Sequence, residues 1–375
     1  MEGLVTSASD SPRLFGDAFR GKRVLVTGHT GFKGSWLSRW LLDLGAEVTG
    51  FALPPDTTPS LFTELDLARS LDSRFGDVRD AQKVAALIAE VRPEIVLHLA
   101  AQPLVRRSYA ETPYTFETNV MGVVNLLEAV RASSDCRVVL NVTTDKVYAN
   151  PETAEPFAED SPLGGHDPYS ASKAAAEIVT ASYRSSFFGG PGASAVSTAR
   201  AGNVIGGGDW AEDRLVPDCV RALGAGESVE IRNPASTRPW QHVLEPLGGY
   251  LHLAAMSLRE PQAAGAFNFG PDVGEIRTVG EVVEHFCAAW GHGDWHAHAP
   301  DRQPHEATHL RLAIGKADRE LDWRPLWGFE QSVERTVQWY RAFADGSAAE
   351  DLVAEDIATY VCTAAQAGAS WIDQR

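Results

Sequence analysis

A short apolar segment followed at once by spaced glycines places the tightest constraint on the fold of this chain. "RVLVTG" predicts a buried strand, and "VTGHTGFKG" sets Gly28, Gly31 and Gly34 directly after it, where "GSWLSRWLLDLG" begins a helical pattern. A plain turn also favours glycine, and the spacing is G-x-x-G-x-x-G rather than G-x-G-x-x-G. The strand before and the helix after nevertheless favour a dinucleotide-binding loop, because Cβ atoms there would hold the backbone away from a pyrophosphate.

The first half of the chain alternates strand and helix patterns. After the glycine loop come the strand "EVTGFAL", the helix "AQKVAALIAEVRP", the strand "EIVLHLA", the helix "NVMGVVNLLEAVRAS" and the strand "RVVLNVTT". Such alternation predicts an α/β fold with a Rossmann-type, doubly wound parallel sheet, and the shorter strands after about residue 205 favour a smaller α+β domain. We expect a Rossmann domain at 19–204 with about 240–265 returning to it, a substrate domain at 205–239 and 266–345, and tails at 1–18 and 346–375.

Composition excludes several classes of function. The formal net charge of −17 argues against nucleic acid or an anionic membrane as a partner, although basic clusters such as "PLVRRSY" and "IRNPASTRPW" still allow an anionic small ligand. The four cysteines lie far apart with no C-x-x-C pair, so we expect no metal site and a reducing, cytoplasmic compartment. The amino terminus lacks a continuous apolar core, and no window approaches the roughly 18 apolar residues of a membrane span.

Acidic residues that follow the second predicted strand bear on whether the dinucleotide is NAD or NADP. A carboxylate at the end of the second strand normally binds the adenosine ribose of NAD, and here Asp56 follows "FALPP" slightly late. No arginine stands there to hold the 2′-phosphate of NADP. In "GDVRD", Asp77 is a candidate for the adenine edge and Asp80 for a helix N-cap. This pattern favours NAD.

A tyrosine and a lysine one helical turn apart form a candidate base. "DPYSASKAAAE" puts Tyr169 and Lys173 at i and i+4 on one face of a predicted helix. A phenol titrates at about 10 and needs a neighbouring cation to lose its proton at neutral pH. The lysine supplies that field and could also hydrogen-bond a nicotinamide ribose. Y-x-x-x-K alone is often an incidental surface pair, but the upstream glycine loop favours a functional one.

Several motifs together resemble those of the CDP-glucose 4,6-dehydratases, a group of the extended short-chain dehydrogenase/reductase superfamily. They are "GHTGFKGSWL", "AAQPLVRRSY", "TNVMGVVNLLE", "TTDKVY", "DPYSASK", "RAGNVIGGGDW" and "RPWQHVLEPL", and the likeness runs from about Gly21 to about Phe343. The glycine-loop motif and the last two are specific to the group. The segment between Tyr148 and Pro168 is shorter and less aromatic than the group's pattern, so the substrate is less determined than the type of reaction.

The resemblance implies a reaction that borrows and returns a hydride. Oxidation of the C4 hydroxyl of CDP-glucose by NAD makes the C5 hydrogen acidic, water leaves across C5 and C6, and the hydride returns to C6. It implies that Tyr169 is the C4 base and that Thr144 bonds the C4 oxygen. Asp145 and Lys146 would cover the C5 base and the acid toward the 6-hydroxyl, in a pocket kept dry.

The division of roles between Asp145 and Lys146 stays open in the sequence. The related dTDP-glucose dehydratases have an Asp-Glu pair there, with Asp as acid and Glu as base, and Lys146 stands in place of that Glu. A lysine is a base only where its pKa is lowered, and Asp145 would have to be kept protonated by desolvation. On the opposing interpretation Asp145 caps the next turn and Lys146 points to solvent. Their place at the carboxyl end of a predicted strand favours catalysis.

The remaining predicted site residues fall into two sets. Besides Tyr169 and Lys173, those for the cofactor are Gly28, Thr30, Gly31, Phe32, Lys33, Gly34, Asp77, Val78, Leu99, Ala100 and Ala101. Those for the nucleotide sugar are Gln102, Asn203, Arg214, Leu215, Val216, Arg232, Arg238, His242 and Glu306. Arg238 is favoured for the diphosphate because a guanidinium binds adjacent negative charges bidentately. The superfamily implies that Asn119 fixes the helix backbone near the site.

The sequence also allows other functions and predicts an oligomer. A sibling nucleotide-sugar epimerase or decarboxylase would share the glycine loop, Tyr169 and Lys173 but would not need the pair at 145–146. A non-catalytic dinucleotide sensor would not need a cation beside the phenol, and a dTDP-, UDP- or GDP-hexose would fit the same dehydration. The superfamily implies that the helices at about 116–133 and 170–187 pair with a second subunit, so we expect a homodimer or a dimer-based tetramer.

Overall fold

A computed structural model describes residues 13–153, 155–298 and 309–373 of the chain. Strands and helices alternate through its first half. In chain order the strands are β1 (Arg23–Thr27), β2 (Glu47–Ala52), β3 (Asp72–Phe75), β4 (Ile95–His98), β5 (Val138–Val142), β6 (Ala195–Ala201), β7 (Val204–Ile205), β8 (Val229–Ile231), β9 (Thr237–Arg238), β10 (Gln241–His242), β11 (Ala266–Phe269), β12 (Arg277–Thr278) and β13 (Trp295–Ala297). The helices are α1 (Phe32–Asp43), α2 (Leu61–Glu64), α3 (Leu67–Ser70), α4 (Ala81–Val91), α5 (Val105–Ala110), α6 (Thr112–Phe116), α7 (Gly122–Arg131), α8 (Pro168–Phe187), α9 (Leu215–Ala225), α10 (Leu244–Arg259), α11 (Val279–Trp290), α12 (Gly315–Leu321), α13 (Phe329–Ala344) and α14 (Ala349–Ala367).

A parallel sheet of seven strands forms the centre, in the order β11-β6-β5-β4-β1-β2-β3. The middle strands are apolar on both faces: Val24 and Val26 of β1 pack into one hydrophobic core and Leu25 into the other. Such burial on both sides is what helices on both faces of a parallel sheet produce. The predicted Rossmann-type, doubly wound α/β fold is confirmed, with its strand order reversing between β1 and β4.

Local signals in the sequence set the ends of the helices near the site. α1 ends before Gly45, which takes the left-handed conformation (φ 78°) that terminates helices, as its position predicts. Asp80 accepts a hydrogen bond from the Lys83 amide at 3.1 Å and is the N-cap of α4. Asp167 caps α8 in the same way, which fixes the helix that carries the predicted tyrosine and lysine.

The predicted boundary between the two domains differs from the sheet in one place. Residues 266–269 were expected in the substrate domain, but they form β11 and pair in parallel with Thr198–Ala201 of β6. The segment that returns to the sheet therefore extends to Phe269. The alternating, buried pattern of "AFNF" is too short to distinguish a sheet edge from a strand of the smaller domain.

The terminal segments are not tails where the structure describes them, so that expectation is wrong for residues 13–18 and 346–373. Phe15 is buried, and its ring stacks on Trp371 with centroids 4.9 Å apart. α14 buries Val353 and Tyr360 in the main core. Its alanine-rich sequence shows helix propensity, but only the tertiary contacts supply the partner for its apolar face.

Of the helices in the described part of the chain, none combines the length and the apolar surface that a bilayer crossing requires. Within the same residues, His, Cys, Asp and Glu side chains form no cluster of three that could hold a metal ion. The four cysteines are unpaired: Cys136, Cys219 and Cys287 are buried and Cys362 is exposed.

Candidate active site

A cavity of about 630 Å³ lies at the carboxyl edge of the sheet, next to the reversal of strand order. The glycine loop after β1, the ends of β4, β5 and β6, the first turns of α8 and the segment leading into α9 all line it. Open α/β sheets bind ligands at this position. Among the residues that the structure describes, every predicted catalytic, cofactor and substrate residue lines this cavity except His242.

The glycine loop has the shape that a pyrophosphate requires. Gly28 has φ 77°, and a Cβ there would lie 2.7 Å from the backbone nitrogen of Ala100. A Cβ on Gly34 would overlap the carbonyl oxygen of Gly28. Gly31 is the N-cap of α1 and offers no side chain to its first turn, so the amide groups of that turn can bind an anion. These features fit the phosphates of a dinucleotide.

Two carboxylates line the cavity after β2 and β3. Asp56 and Asp77 both line it. Asp77 accepts a hydrogen bond from the Arg79 amide at 2.9 Å and pairs with the Arg79 guanidinium at 2.7 Å. Thr30 donates its hydroxyl to the carbonyl of Leu53 at 2.9 Å, which ties the glycine loop to the end of β2. Acidic groups at this place suit the hydroxyls of an adenosine ribose, as NAD presents them.

A short turn at the end of β5 presents the predicted acid and base. Thr144 caps the 3₁₀ turn Asp145–Val147, accepting the Lys146 amide at 3.4 Å. Its hydroxyl donates to Asp145 Oδ1 at 3.0 Å, and it also lies near enough to Tyr169 to act on the pKa of the phenol. Tyr169, Thr144 and Asp145 therefore adjoin one another inside the cavity. Because Thr144 provides the cap, the interpretation of Asp145 as a simple cap is not supported.

Asp145 is buried with unused hydrogen-bonding capacity. It is 1% exposed, and its Oδ2 accepts no hydrogen bond from the described residues. A Cβ on Gly202 would overlap that oxygen, so only glycine fits behind it. Burial raises the pKa of Asp145, against the opposing effects of Lys146, the Thr144 hydroxyl, Arg238 and Lys33. A carboxyl group in this position favours the protonated form that an acid catalyst needs.

Three cationic side chains, Arg214, Lys173 and Lys33, line the cavity together with Tyr169. Burial raises the pKa of Tyr169 to about 12, with Thr144 and Arg214 acting in the opposite direction. Lys173 donates to the Val142 carbonyl at 3.0 Å, and burial lowers its pKa to about 8. Lys33 faces the same group of side chains, and burial lowers its pKa to about 7. The phenol needs this positive charge beside it to act as a base.

Several arginines also line the cavity. Arg232 pairs with Asp213 at 3.0 Å, and Arg106 approaches the same carboxylate at 3.7 Å. Arg214 pairs with Asp209 at 2.8 Å. The roles of Arg106, Asp209 and Asp213 were not predicted. The pair of arginines in "PLVRRSY" was the available signal, but its carboxylate partner lies more than a hundred positions along the chain.

Other residues predicted to bind the substrate also line the cavity. Arg238 is 5% exposed and close enough to Asp145 to oppose the rise in its pKa. Leu215, Val216 and Asn203 line the cavity, whereas Gln102 does so with both of its amide hydrogens engaged, by the Leu104 carbonyl and Thr115.

His242 does not line the cavity, contrary to the prediction that it binds the substrate. Glu306 lies outside the described residues. His242 is fully buried between Trp36 and Trp327, with ring centroids 6.0 and 4.9 Å away. Burial lowers its pKa to about 3. A two-residue strand alternates its side chains, and the register of β10 against β7 directs this one to the aromatic core. Sequence proximity to Arg238 was not a sufficient guide.

Asn119 links the loop after β4 to α8. Its amide donates to the Gln102 carbonyl at 3.1 Å and to the Ser172 hydroxyl at 2.9 Å, and its oxygen accepts the Gln102 amide at 2.8 Å. The residue lies in a π-helical turn, Glu117–Met121, between α6 and α7. This geometry agrees with a side chain that fixes backbone near the site.

The chain is similar in sequence to known sugar-nucleotide 4,6-dehydratases. The model of the GDP-mannose 4,6 dehydratase family matches residues 25–336. A CDP-glucose 4,6-dehydratase from Salmonella typhimurium is 47% identical over 336 residues, covering 88% of this chain and 93% of the relative. A dTDP-glucose 4,6-dehydratase from Xanthomonas campestris pv. campestris is 30% identical, covering 84% and 92%.

Solved structures give the same result. A dTDP-glucose 4,6-dehydratase from Streptomyces venezuelae, solved with NAD bound, has a TM-score of 0.74 at 28% identity, covering 85% of this chain and 97% of that one. A UDP-glucose 4-epimerase from Thermotoga maritima has a TM-score of 0.75 at 22% identity, covering 86% and 99%, and shares the fold. The chain therefore belongs to the GDP-mannose 4,6 dehydratase family, and the resemblance to the CDP-glucose 4,6-dehydratases of the extended short-chain dehydrogenase/reductase superfamily is confirmed.

Proposed function

We propose that this chain is an NAD-dependent hydro-lyase that converts CDP-D-glucose to CDP-4-keto-6-deoxy-D-glucose. The observation that carries the proposal is the placement of Tyr169, Thr144 and the buried Asp145 beside one another, in the cavity that the glycine loop also lines. This placement sets a base for an alcohol beside an acid for a leaving hydroxyl. The Salmonella typhimurium relative that is 47% identical is named for this activity.

NAD, when bound, would supply the acceptor for the C4 hydride and the donor that returns it to C6. The glycine loop would hold its pyrophosphate, Asp56 and Asp77 its adenosine, and Lys173 its nicotinamide ribose. Tyr169 removes the proton from the C4 hydroxyl as the carbonyl forms, and Thr144 hydrogen-bonds the same oxygen. Burial of the two residues keeps water away from the developing ketone.

The elimination belongs to the turn at the end of β5. Once C4 is a carbonyl, Lys146 takes the C5 proton, and the electron pair of that bond forms the C5–C6 double bond as the 6-hydroxyl departs. Asp145 gives its proton to that hydroxyl, so one molecule of water leaves. The burial that raises the pKa of Asp145 favours the protonated form that this step needs.

The part of the cavity lined by arginines would bind the nucleotide of the substrate. Arg232 and Arg238 have the guanidinium groups that adjacent phosphates require, and Arg106 adds a third. Leu215 and Val216 provide apolar contact for the base. The choice of cytosine rests on the relative's name. We keep the division into a dinucleotide half and a nucleotide-sugar half, with the boundary moved so that β11 belongs to the first.

The test uses CDP-glucose that carries deuterium at C4. With catalytic NAD, we expect a product lighter by one water that keeps the deuterium in its C6 methyl group, measured by mass spectrometry and NMR. An epimerised sugar of unchanged mass would contradict dehydration. Parallel reactions with dTDP-, UDP- and GDP-glucose test the nucleotide, and faster turnover of one of these would replace the assignment of CDP.

The assembly is part of the proposal. Phe116, Met121, Ile178 and Phe187 are exposed apolar side chains on the α6–α7 segment and on α8. Two such faces in adjoining helices fit a homodimer, or a tetramer built from it. Light scattering should give twice or four times the 40.5 kDa chain mass, and Ile178→Glu should reduce it. The unpaired cysteines support a reducing cytoplasm as the compartment.

A further inference from the structure

A buried carboxylate lies directly behind the cavity without lining it. Glu177 is 2% exposed and follows Lys173 by one turn on the same face of α8. Its Oε1 accepts the Thr143 hydroxyl at 2.5 Å, and its Oε2 accepts the Thr198 hydroxyl and the Arg200 guanidinium, both at 2.8 Å. The two carboxylate oxygens are therefore bound by Thr143, directly after β5, and by β6.

The same network reaches the other end of the acid–base turn. Arg200 donates to the Tyr148 hydroxyl at 2.8 Å, and Tyr148 donates to Asn268 at 2.6 Å. Thr143 immediately precedes the segment Thr144–Val147, and Tyr148 immediately follows it. The pair of Glu177 and Arg200 thus ties down both ends of the turn that presents the acid and the base.

Glu177 also acts on Lys173 through its charge. Burial lowers the pKa of Lys173 to about 8, and the negative charge of Glu177 opposes that fall. The other groups facing Lys173 are Lys33 from α1, which opposes its positive charge, and His98 from β4, whose pKa burial lowers to about 3 so that it is neutral. Glu177 is the source of negative charge for Lys173 among these neighbours.

The charged groups around Glu177 itself are Arg200 on β6 and Arg184 on α8. A buried ion pair is a poor source of stability, because desolvation offsets most of the attraction, and apolar residues of the same volume are often equally stable. A pair at this position is better explained by what it does to the turn and to Lys173.

We propose that Glu177 is a positioning residue for the reaction: it holds the turn Thr144–Val147 through Thr143 and Arg200, and it sustains the positive charge of Lys173. This inference rests on the proposed dehydratase function. The residue touches neither of the ligands assigned to the cavity, so its effect is exerted through these neighbours.

The experiment compares Glu177→Gln with Asp356→Asn. Asp356 is a second buried carboxylate, paired with Arg335 at 2.8 Å in the contact between α13 and α14, and Asp356→Asn makes the same chemical change at a distance from the cavity. We expect Glu177→Gln to lower kcat about tenfold and to move the alkaline limb of the kcat–pH profile down by about one unit, because Lys173 loses its proton more easily. Asp356→Asn should lower the melting temperature without moving that limb.

Two further variants separate the effects. Thr143→Val breaks one hydrogen bond and keeps the charge, so kcat should fall with an unmoved alkaline limb. The double variant Glu177→Gln/Arg200→Met removes both members of the buried ion pair, so Arg200 is not left unpaired and folding is protected if the single variant is unstable. The alkaline limb should still move in this double variant.

A readout without cofactor or substrate tests the charge directly. In the cofactor-free protein, the melting temperature of Glu177→Gln should lie furthest below that of the wild type near pH 7, and the gap should narrow above pH of about 8 as Lys173 loses its proton. The gap for Asp356→Asn should stay constant over this range. The proposal would be overturned if Glu177→Gln left the alkaline limb of the kcat–pH profile unmoved and its melting-temperature difference from the wild type did not change with pH. Failure of the wild type to dehydrate any nucleotide hexose would instead refute the proposed function, and the melting gap would still report on Glu177.

Discussion

Two buried carboxyl groups in this molecule have similar burial and opposite surroundings. Asp145 and Glu245 are 1% and 0% exposed, and burial raises the pKa of both, that of Glu245 to about 7. Asp145 accepts a hydrogen bond from Thr144 on one oxygen, and its other oxygen accepts none from the described residues. That second oxygen belongs to a side chain lining a cavity.

Glu245 is saturated. It accepts the backbone amide of Trp327 at 2.6 Å, that of Leu326 at 3.1 Å and the Tyr360 hydroxyl at 3.0 Å. These donors join α10 to the loop before α13 and to α14. The comparison teaches that burial alone does not mark a catalytic acid. An unused lone pair beside a cavity allows chemistry, whereas a full set of donors makes the carboxylate an anchor.

The largest effect is expected at Tyr169, the proposed base that adjoins Thr144 and Asp145 in the cavity. Tyr169→Phe removes the group that takes the C4 proton, so kcat should fall by about 10⁴-fold. Rapid-mixing absorbance should show no reduced cofactor in a single turnover. Reduced cofactor formed at the wild-type rate would remove Tyr169 from the oxidation step.

Asp145→Asn should separate the oxidation from the loss of water. The amide keeps the shape but has no acidic proton, so kcat should fall by about 10²-fold while reduced cofactor accumulates. The melting temperature should not fall, because no donor loses its only partner. Full dehydratase activity in this variant would end the assignment of Asp145 as the acid and would make the contrast with Glu245 meaningless.

Glu245→Ala should have the reverse profile. Two backbone amides and the Tyr360 hydroxyl lose their acceptor, so the free energy of unfolding should fall by about 3 kcal/mol. The kcat of the folded enzyme should stay near the wild-type value. Glu245→Gln is the matched control, since its amide oxygen still accepts the backbone amides, and it should lose less. A large change in kcat for the folded Glu245→Ala enzyme would show that this carboxylate is more than an anchor.

The smallest effect is a dependence of stability on pH. Because the pKa of Glu245 is raised in the folded state to about 7, its protonation stabilises the protein below the unfolded value of about 4.5, and this contribution is lost as the pH rises through 7. The wild type should therefore lose its advantage over Glu245→Gln between pH of about 5 and 8, measured by urea unfolding. Parallel curves for the two proteins would contradict the raised pKa.

Much of the site could be predicted because its signals are local. The glycine loop, the alternation of strands and helices, and the i, i+4 spacing of Tyr169 and Lys173 all depend on neighbours within one or two turns. The position of Asp145 at the end of a buried strand followed from the same alternation. The sequence by itself therefore determined the fold class, the edge of the sheet at which the cavity lies and many of the residues that line it.

Only the tertiary structure decided which polar side chains line the cavity and which are buried away from it. His242 and Glu245 lie in one motif, "RPWQHVLEPL", yet the register of β10 and the packing of α14 bury both away from the cavity. Glu177 and Arg200 meet because β6 returns beside β5, and Tyr360 reaches Glu245 across 115 positions. Hydrogen-bond saturation depends on such long-range contacts, which no local pattern of residues encodes.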